Sequence, residues 1–419
     1  MSIYFAPLDK ILKFGYYFDK QEYFKQGERK MKNKIYETIK TSVDSGSTSG
    51  VNVLVLKNGR EAAYCEYGFR DLENRIPMTR DTIFRLYSQT KPVTAAAAVL
   101  LVSQGKLDIA EELSEYMPEF SEQYINTDGN RVPVKSRILV RDLLNMTSGI
   151  PYPGEGSESE KQSGKVFWET VQRLRSDDPV TTREFAEKMS KNDLLFEPGS
   201  YFMYGASADI LGCLIERVSG MSFGDFLKKY FFEPLEMNDT SFYIPPEKSH
   251  RLAKVYNYNE NGSLYEMPTD HLGLVYERDI PPAFESGGAG LCSTLDDYGK
   301  FGTMLLGGGR YNGREIMPEA AVKYLTESCL DISKCGILHD WWKWMSGYSY
   351  GCLMRKCVNV NETSLFSEKG EYGWDGWLGT FFSNEPSKGI TLLLGAQQAG
   401  IGRVGTLTRK IKNIVMSCL

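Results

Sequence analysis

Strand-like sequence in this chain lies at its two ends, with helices and loops between. Near the start, Val51–Leu56 and Ala62–Gly68 read as strands joined by Lys57-Asn58-Gly59-Arg60, and the Asn-Gly pair is a strong hairpin signal. Near the end, Tyr348–Cys357, Thr380–Asn384 and Ile390–Ala396 are strand-like. Strands early, helices in the middle and strands late predict an α+β fold, with one antiparallel sheet built from both chain ends. Helices are expected at Lys32–Val43, 89–104, 137–145, 181–190, 206–218, 222–230, Thr294–Leu306 and Thr406–Ser417, and Gly154–Gly164 reads as part of a long loop. The chain then divides into an N-terminal extension (1–30), a sheet domain (31–105 with 291–419) and a mostly helical insertion (106–290).

At 419 residues this is more than one minimal core can hold, since single cores stop growing near roughly 250–300 residues. The net charge of −5 comes with no basic stripe interleaved with aromatics, which argues against a nucleic-acid partner. No apolar run approaches the ~18–20 residues that span a bilayer. The first twenty residues carry Asp9, Lys10, Lys13, Asp19 and Lys20 and do not read as a signal peptide, so a cytoplasmic location is expected. Eight scattered cysteines and three separated histidines (250, 271, 339) fit no zinc spacing. The cysteines read as reduced and mostly buried.

Three segments carry chemistry. Ser88-Gln-Thr-Lys91 is S-x-x-K at the mouth of the Ala-rich helix that Gly105 stops, and spacing of i, i+3 puts both side chains on one face. A serine hydroxyl needs a base to take its proton, and a buried lysine loses part of its preference for the charged form. Taken alone the pair suits an N-cap serine beside a solvated lysine better than a catalytic pair; the apolar Ala-rich helix after Lys91, which implies burial, turns the reading. Ser103-Gln-Gly-Lys106 matches the same pattern across a helix stop. Tyr204, ahead of an apolar helical run, offers a phenol for proton relay, although any of the 25 tyrosines suits a core position as well. Gly373-Trp374-Asp375-Gly376-Trp377-Leu378-Gly379-Thr380 is a Gly-rich strand edge, suited either to an oxyanion hole of backbone N–H groups or to a bulged, tightly packed strand.

In this order the three segments resemble the serine β-lactamase and penicillin-binding-protein superfamily, whose signature is S-x-x-K, then Y-x-N, then K-T-G or a variant. Leu143-Leu-Asn-Met-Thr-Ser-Gly149 is similar to its LLxHTSG loop, and Gly287–Tyr298 with Phe301 to its GGxxSTxxDxxxF segment. The resemblance runs over residues 33–417. It implies an α/β sandwich of the β-lactamase/transpeptidase type, with the active site where the sheet and the helical lobe meet.

Two departures bear on substrate. Ala206 stands where the motif has asparagine, and Trp374 where it has lysine, with Asp375 adding a negative charge. Loss of a charged contact to a carboxylate costs on the order of 1.5–3 kcal/mol. Both changes look more like the β-lactamase-like carboxylesterases and acyltransferases. The resemblance implies that Lys91 deprotonates Ser88, that Tyr204 protonates the leaving group, and that backbone N–H groups of Ser88 and Trp377 hold the oxyanion. No metal or cofactor is called for, and the partner is a small ester or amide. Trp374, Trp377 and the cluster Trp341-Trp342-Lys343-Trp344 suggest an apolar wall for an acyl chain. A β-lactamase or D-amino-acid peptidase or amidase is the alternative within hydrolases, and a silent scaffold of the same fold is the alternative outside them. Oligomeric state leaves no signal in the sequence.

Overall fold

The computed structural model describes residues 8–127, 130–400 and 402–419. Its frame is an eight-stranded sheet. Three strands come from the early part of the chain: β1 (Gly50–Lys57), β2 (Arg60–Asp71) and β3 (Ile76–Pro77). Five come from the late part: β4 (Tyr348–Gly351), β5 (Met354–Cys357), β6 (Tyr372–Asp375), β7 (Phe381–Glu385) and β8 (Ile390–Gly395). The order is β4-β5-β6-β7-β8-β1-β2-β3, antiparallel throughout. The two groups join where β1 pairs with β8, Asn52 opposite Gly395 through Lys57 opposite Ile390.

The helices that matter for the site are α1 (Leu8–Asp44), α2 (Lys91–Ser103), α3 (Glu158–Arg173), α4 (Ser207–Ser219), α5 (Leu295–Leu306) and α6 (Gly402–Cys418). Strand β1 is buried on both faces because helices cover both. Val51, Val53 and Val55 pack with Ile35 and Ile39 of α1 and with Val404, Leu407 and Ile411 of α6. On the opposite face Leu54, Phe382 and Leu393 join the larger core that α2, α4 and α5 share.

Differences from the sequence reading have local causes. The helix expected over Lys32–Val43 continues back to Leu8, through most of the expected extension at 1–30, whose first seven residues lie outside the described residues. Gly154–Gly164 is not all loop: α3 begins at Glu158, where the Ser157 hydroxyl accepts from the Glu160 N–H and caps it. Tyr348–Cys357 is not one strand but the hairpin β4–β5, because Cys352 and Leu353 both take positive φ, +48° and +58°. Six of the eight cysteines are buried. Among the described residues no helix is long and apolar enough to cross a membrane, and no cluster of His, Cys, Asp or Glu could hold a metal ion.

Glu285 pins the segment ahead of Gly287 to the helical lobe. Its carboxylate accepts from the Gly224 N–H at 2.7 Å and its own N–H donates to Thr182 Oγ1 at 3.0 Å. Burial pushes this carboxyl up to about 7 from 4.5. Between those values the folded chain holds a proton that the unfolded chain has released, so stability falls as pH rises through that window and is level above it. Urea unfolding of wild type and Glu285→Gln at both ends of the window should show the variant escaping this loss, a relative gain of at most about 3 kcal/mol.

Candidate active site

Ser88 lies in a short helical turn, Tyr87–Thr90, that runs into α2 with Pro92 in the first turn. Pro92 costs nothing there, because an N–H at that position has no helical partner. Ahead of it Tyr87 is held at φ +45°, a conformation that strains a residue with a side chain. The surroundings impose it. Leu86 N–H donates to Leu291 O at 2.9 Å, Arg85 N–H donates to Gln397 Oε1 at 3.1 Å, and the Tyr87 ring packs 5.2 Å from that of Trp377.

Lys91 is fully buried. Its Nζ donates to Ser88 Oγ at 3.1 Å, Tyr152 OH at 3.0 Å and Gly288 O at 2.8 Å. Three contacts match the three donors of an ammonium, and equally a free amine that donates to Tyr152 OH and Gly288 O and turns its lone pair to the Ser88 hydroxyl. The decoy pair Ser103 and Lys106 is exposed, and the Ser103 hydroxyl bonds back to Leu100 O.

Tyr152 is the residue that sequence reasoning missed. It follows Gly149 of the LLNMTSG loop by three positions and packs its ring against Phe167 of α3 and Tyr204. Burial pushes its phenol well above the ordinary value, and the nearby Asp209 carboxylate adds to the shift. Asp209, in the first turn of α4, accepts from Ser286 Oγ and from Gly288 N–H. Burial raises its pKa and Lys91 opposes the rise. Gly288 must be glycine: a Cβ there would lie 2.7 Å from Asp209 Oδ2 and 2.8 Å from Tyr152 OH. The Gly287-Gly288 pair is therefore a close-approach device that lets a carbonyl reach Lys91.

Tyr204 does not hydrogen-bond Lys91. The ammonium sits over its ring, 4.7 Å from the centroid, and its hydroxyl accepts from Trp374 Nε1 at 3.0 Å. Trp374 is buried on β6 between Tyr204 (5.5 Å), Tyr350 (4.9 Å) and Trp342 (6.2 Å). The position expected to carry a cation thus presents a neutral N–H donor. Asp375 does not add a free negative charge. Arg355 meets it at 2.6 Å and also contacts Glu371 at 3.2 Å, within a buried network completed by Lys412 and Glu385. Burial raises the Asp375 pKa and Arg355 opposes the rise. Ala206 is buried, and the neighbouring Ser207 hydroxyl is engaged with Ser148 Oγ at 2.8 Å, so it does not stand in for the asparagine.

Gly376 closes the arrangement. A Cβ would fall 2.3 Å from Leu86 O, and Thr380 Oγ1 donates to that same carbonyl at 3.2 Å. The turn after β6 is in this way held against the backbone that carries Ser88. Ser88, Tyr204, Trp374, Asp375, Gly376 and Trp377 all line one cavity of about 160 Å³, with Trp342, Trp344 and Met345 on its outer wall. Its surface is almost entirely carbon. Trp341 is exposed and lies outside the lining.

A sheet with helices on both faces, and an S-x-x-K pair at its junction with a helical lobe, define the serine-hydrolase fold of penicillin-recognising proteins. Residues 35–413 match the beta-lactamase family, and the chain belongs to it. Protein Rv1367c of Mycobacterium tuberculosis is 30% identical over 365 residues, 85% of this chain and 87% of that one. Esterase EstB of Burkholderia gladioli is 29% identical over 268 residues, 59% of this chain and 63% of its own length. The solved structure of EstCE1, described as a hydrolase with promiscuous acyltransferase activity, superposes with a TM-score of 0.75 at 22% identity, covering 94% of this chain and 99% of that one.

Tyr152→Phe removes one of the three acceptors of the Lys91 ammonium while leaving the ring. Steady-state kinetics on an activated ester should show kcat falling about tenfold to a hundredfold, the worth of a hydrogen bond to a charged group, with KM nearly unchanged.

Proposed function

We propose that the protein is a serine carboxylesterase, able to pass the acyl group to an alcohol as well as to water, working through an acyl-enzyme on Ser88. The observation that carries this reading is a buried lysine 3.1 Å from a serine hydroxyl, at the wall of a cavity where Trp374 stands in place of the lysine that would face a substrate carboxylate and the cations that do line it, Arg409 and Lys412, lie at the α6 end. Lys91 takes the Ser88 proton as Oγ attacks the ester carbonyl, and Tyr152 and Gly288 O keep the amine in place throughout. The N–H groups of Ser88 and Trp377 receive the oxyanion. Tyr204 protonates the departing alkoxide, while the Trp374 N–H that its oxygen accepts stabilises the phenolate left behind. Water or an alcohol then enters from the same side and gives its proton to the Tyr204 phenolate, while Lys91 returns the proton it took to Ser88 Oγ as the acyl group is released.

The names of EstB and EstCE1 support ester chemistry on this fold. The neutral Trp374 and the paired Asp375 support it over β-lactam hydrolysis, because neither would attract the carboxylate that such substrates carry.

A side-by-side assay of a short-chain p-nitrophenyl ester and a chromogenic cephalosporin tests the reading. Wild type should turn over the ester and hydrolyse the cephalosporin poorly, and Ser88→Ala should lose at least about a thousandfold of the ester activity. Fast cephalosporin turnover would overturn the substrate assignment, and undiminished ester turnover in Ser88→Ala would overturn the nucleophile.

A further inference from the structure

The cavity beside Ser88 extends well beyond the reacting atoms. From Tyr204 and Trp374 it continues past Trp342, Trp344, Met345 and Leu365 to Phe381 and to Val404 and Thr408 on α6. It thus passes from the α2 side of the sheet to the α6 side. Such a passage exists because β5 and β6 pair at only two positions, Arg355 with Gly373 and Lys356 with Tyr372. Beyond Gly373, strand β6 has no partner on that side. The tip of the β4–β5 hairpin is drawn away instead: Leu353 N–H donates to Leu144 O at 2.8 Å and Cys352 N–H to Asn145 Oδ1 at 3.3 Å. Of the charges that border the passage, Arg409 at its α6 end donates to the Thr406 hydroxyl, and the others are paired. Asp375 is paired with Arg355, and Lys412 holds Glu371, Glu385 and Ser383 at 3.0, 2.9 and 2.9 Å.

Which half of an ester enters this passage follows from where the protons go. With the carbonyl oxygen at the Ser88 and Trp377 N–H groups, the leaving oxygen must face the general acid. Tyr204 OH is that acid, and with its donor Trp374 it forms the near wall of the passage. The carbon chain attached to the leaving oxygen therefore runs on along Trp374 and Trp342 toward α6. The acyl chain departs in the remaining direction, where Trp377 stacks on His271 at 4.4 Å.

We infer that the passage is the alcohol site, built for an extended apolar alcohol, both as the leaving group of the ester and as acceptor from the acyl-enzyme. The inference rests on the esterase reading and revises the expectation that the tryptophan cluster walls an acyl chain. In the transfer step the alcohol oxygen bonds to the acyl carbon and the bond from that carbon to Ser88 Oγ breaks. The alcohol proton goes to the Tyr204 phenolate, and Lys91 returns the proton it took from Ser88 to Ser88 Oγ, which restores the free enzyme. An apolar alcohol filling the passage also displaces the water that would otherwise hydrolyse the acyl-enzyme.

Two ester series separate the halves: acetates of ethanol, butanol and octanol, and ethyl esters of butyric and octanoic acids. Wild type should show kcat/KM rising with alcohol length. Leu365→Trp, which fills the passage, should lower kcat/KM for octyl acetate about tenfold or more, one lost tenfold being about 1.4 kcal/mol. Ethyl acetate and ethyl octanoate should stay within about twofold of wild type. Trp342→Ala, which widens the passage at a half-buried position, should change the ranking of the acetates and leave the ethyl esters in order. With vinyl acetate as donor, octanol should be acetylated in preference to ethanol at equal concentration, and Leu365→Trp should remove that preference. Loss confined to ethyl octanoate, or an equal fall across both series, would overturn the inference while the esterase reading stands. Absence of turnover of every ester by wild type would end both.

Discussion

A buried ammonium organises this molecule. Taking the Lys91 charge out of water costs several kcal/mol unless its donors are met. The protein meets them with a hydroxyl from the same helix, a phenol from the loop after Gly149, and a carbonyl from the Gly287-Gly288 turn. Each acceptor belongs to a different segment, so satisfying one side chain fixes the mutual position of three parts of the chain. The close packing of Gly288 against Asp209 and Tyr152 follows from that requirement. The site is a solution to a solvation problem, and Ser88 occupies one of the three places that the solution provides.

The same economy of charge shapes the other wall. Arg355 and Lys412 are buried with Glu371 and Glu385, and Arg355 reaches out to the half-exposed Asp375, so two cations meet three acids, of which Glu385 is pushed up to about 7 by burial. Around the serine the cavity faces mostly aromatic carbon and an indole N–H aimed at Tyr204, with Arg409 at the far end. Electrostatic steering of a charged substrate is weak in such a site, and shape and burial must do the selecting.

Much of the frame was legible because its signals are local. The hairpin β1–β2 turns at Asn58 and Gly59, which take φ of +50° and +74°, as an Asn-Gly pair does. The S-x-x-K pair follows from helix geometry, and the Gly-rich edge from the approach of Gly376 to Leu86. The parts that were not legible depend on distant or atypical partners. Tyr152 reaches Lys91 across 61 residues and is one of 25 tyrosines, with nothing in its spacing to single it out. The pairing of Asp375 with Arg355 needs the β5–β6 register, which no local pattern encodes. The break at Cys352-Leu353 has no glycine or asparagine at the two turn positions that usually mark such turns; instead its Leu353 and Cys352 N–H groups donate to Leu144 O and Asn145 Oδ1, which hold it in place. The start of α3 was hidden by polar, Gly-rich sequence whose capping serine, Ser157, is visible only in hindsight.

The pairing of β1 with β8 has a consequence for synthesis of the protein. Strand β1 is made early, and its partner at Ile390–Gly395 some 330 residues later. Until then the early hairpin has no neighbour on that side, and Gln397, which braces Arg85 beside the nucleophile, does not yet exist. Contacts this far apart in the chain form slowly and late. A ribosome-bound chain therefore carries Ser88 without its walls, the nascent sheet edge is a natural client for chaperones, and the cavity beside Ser88 is complete only once Lys412 has been added.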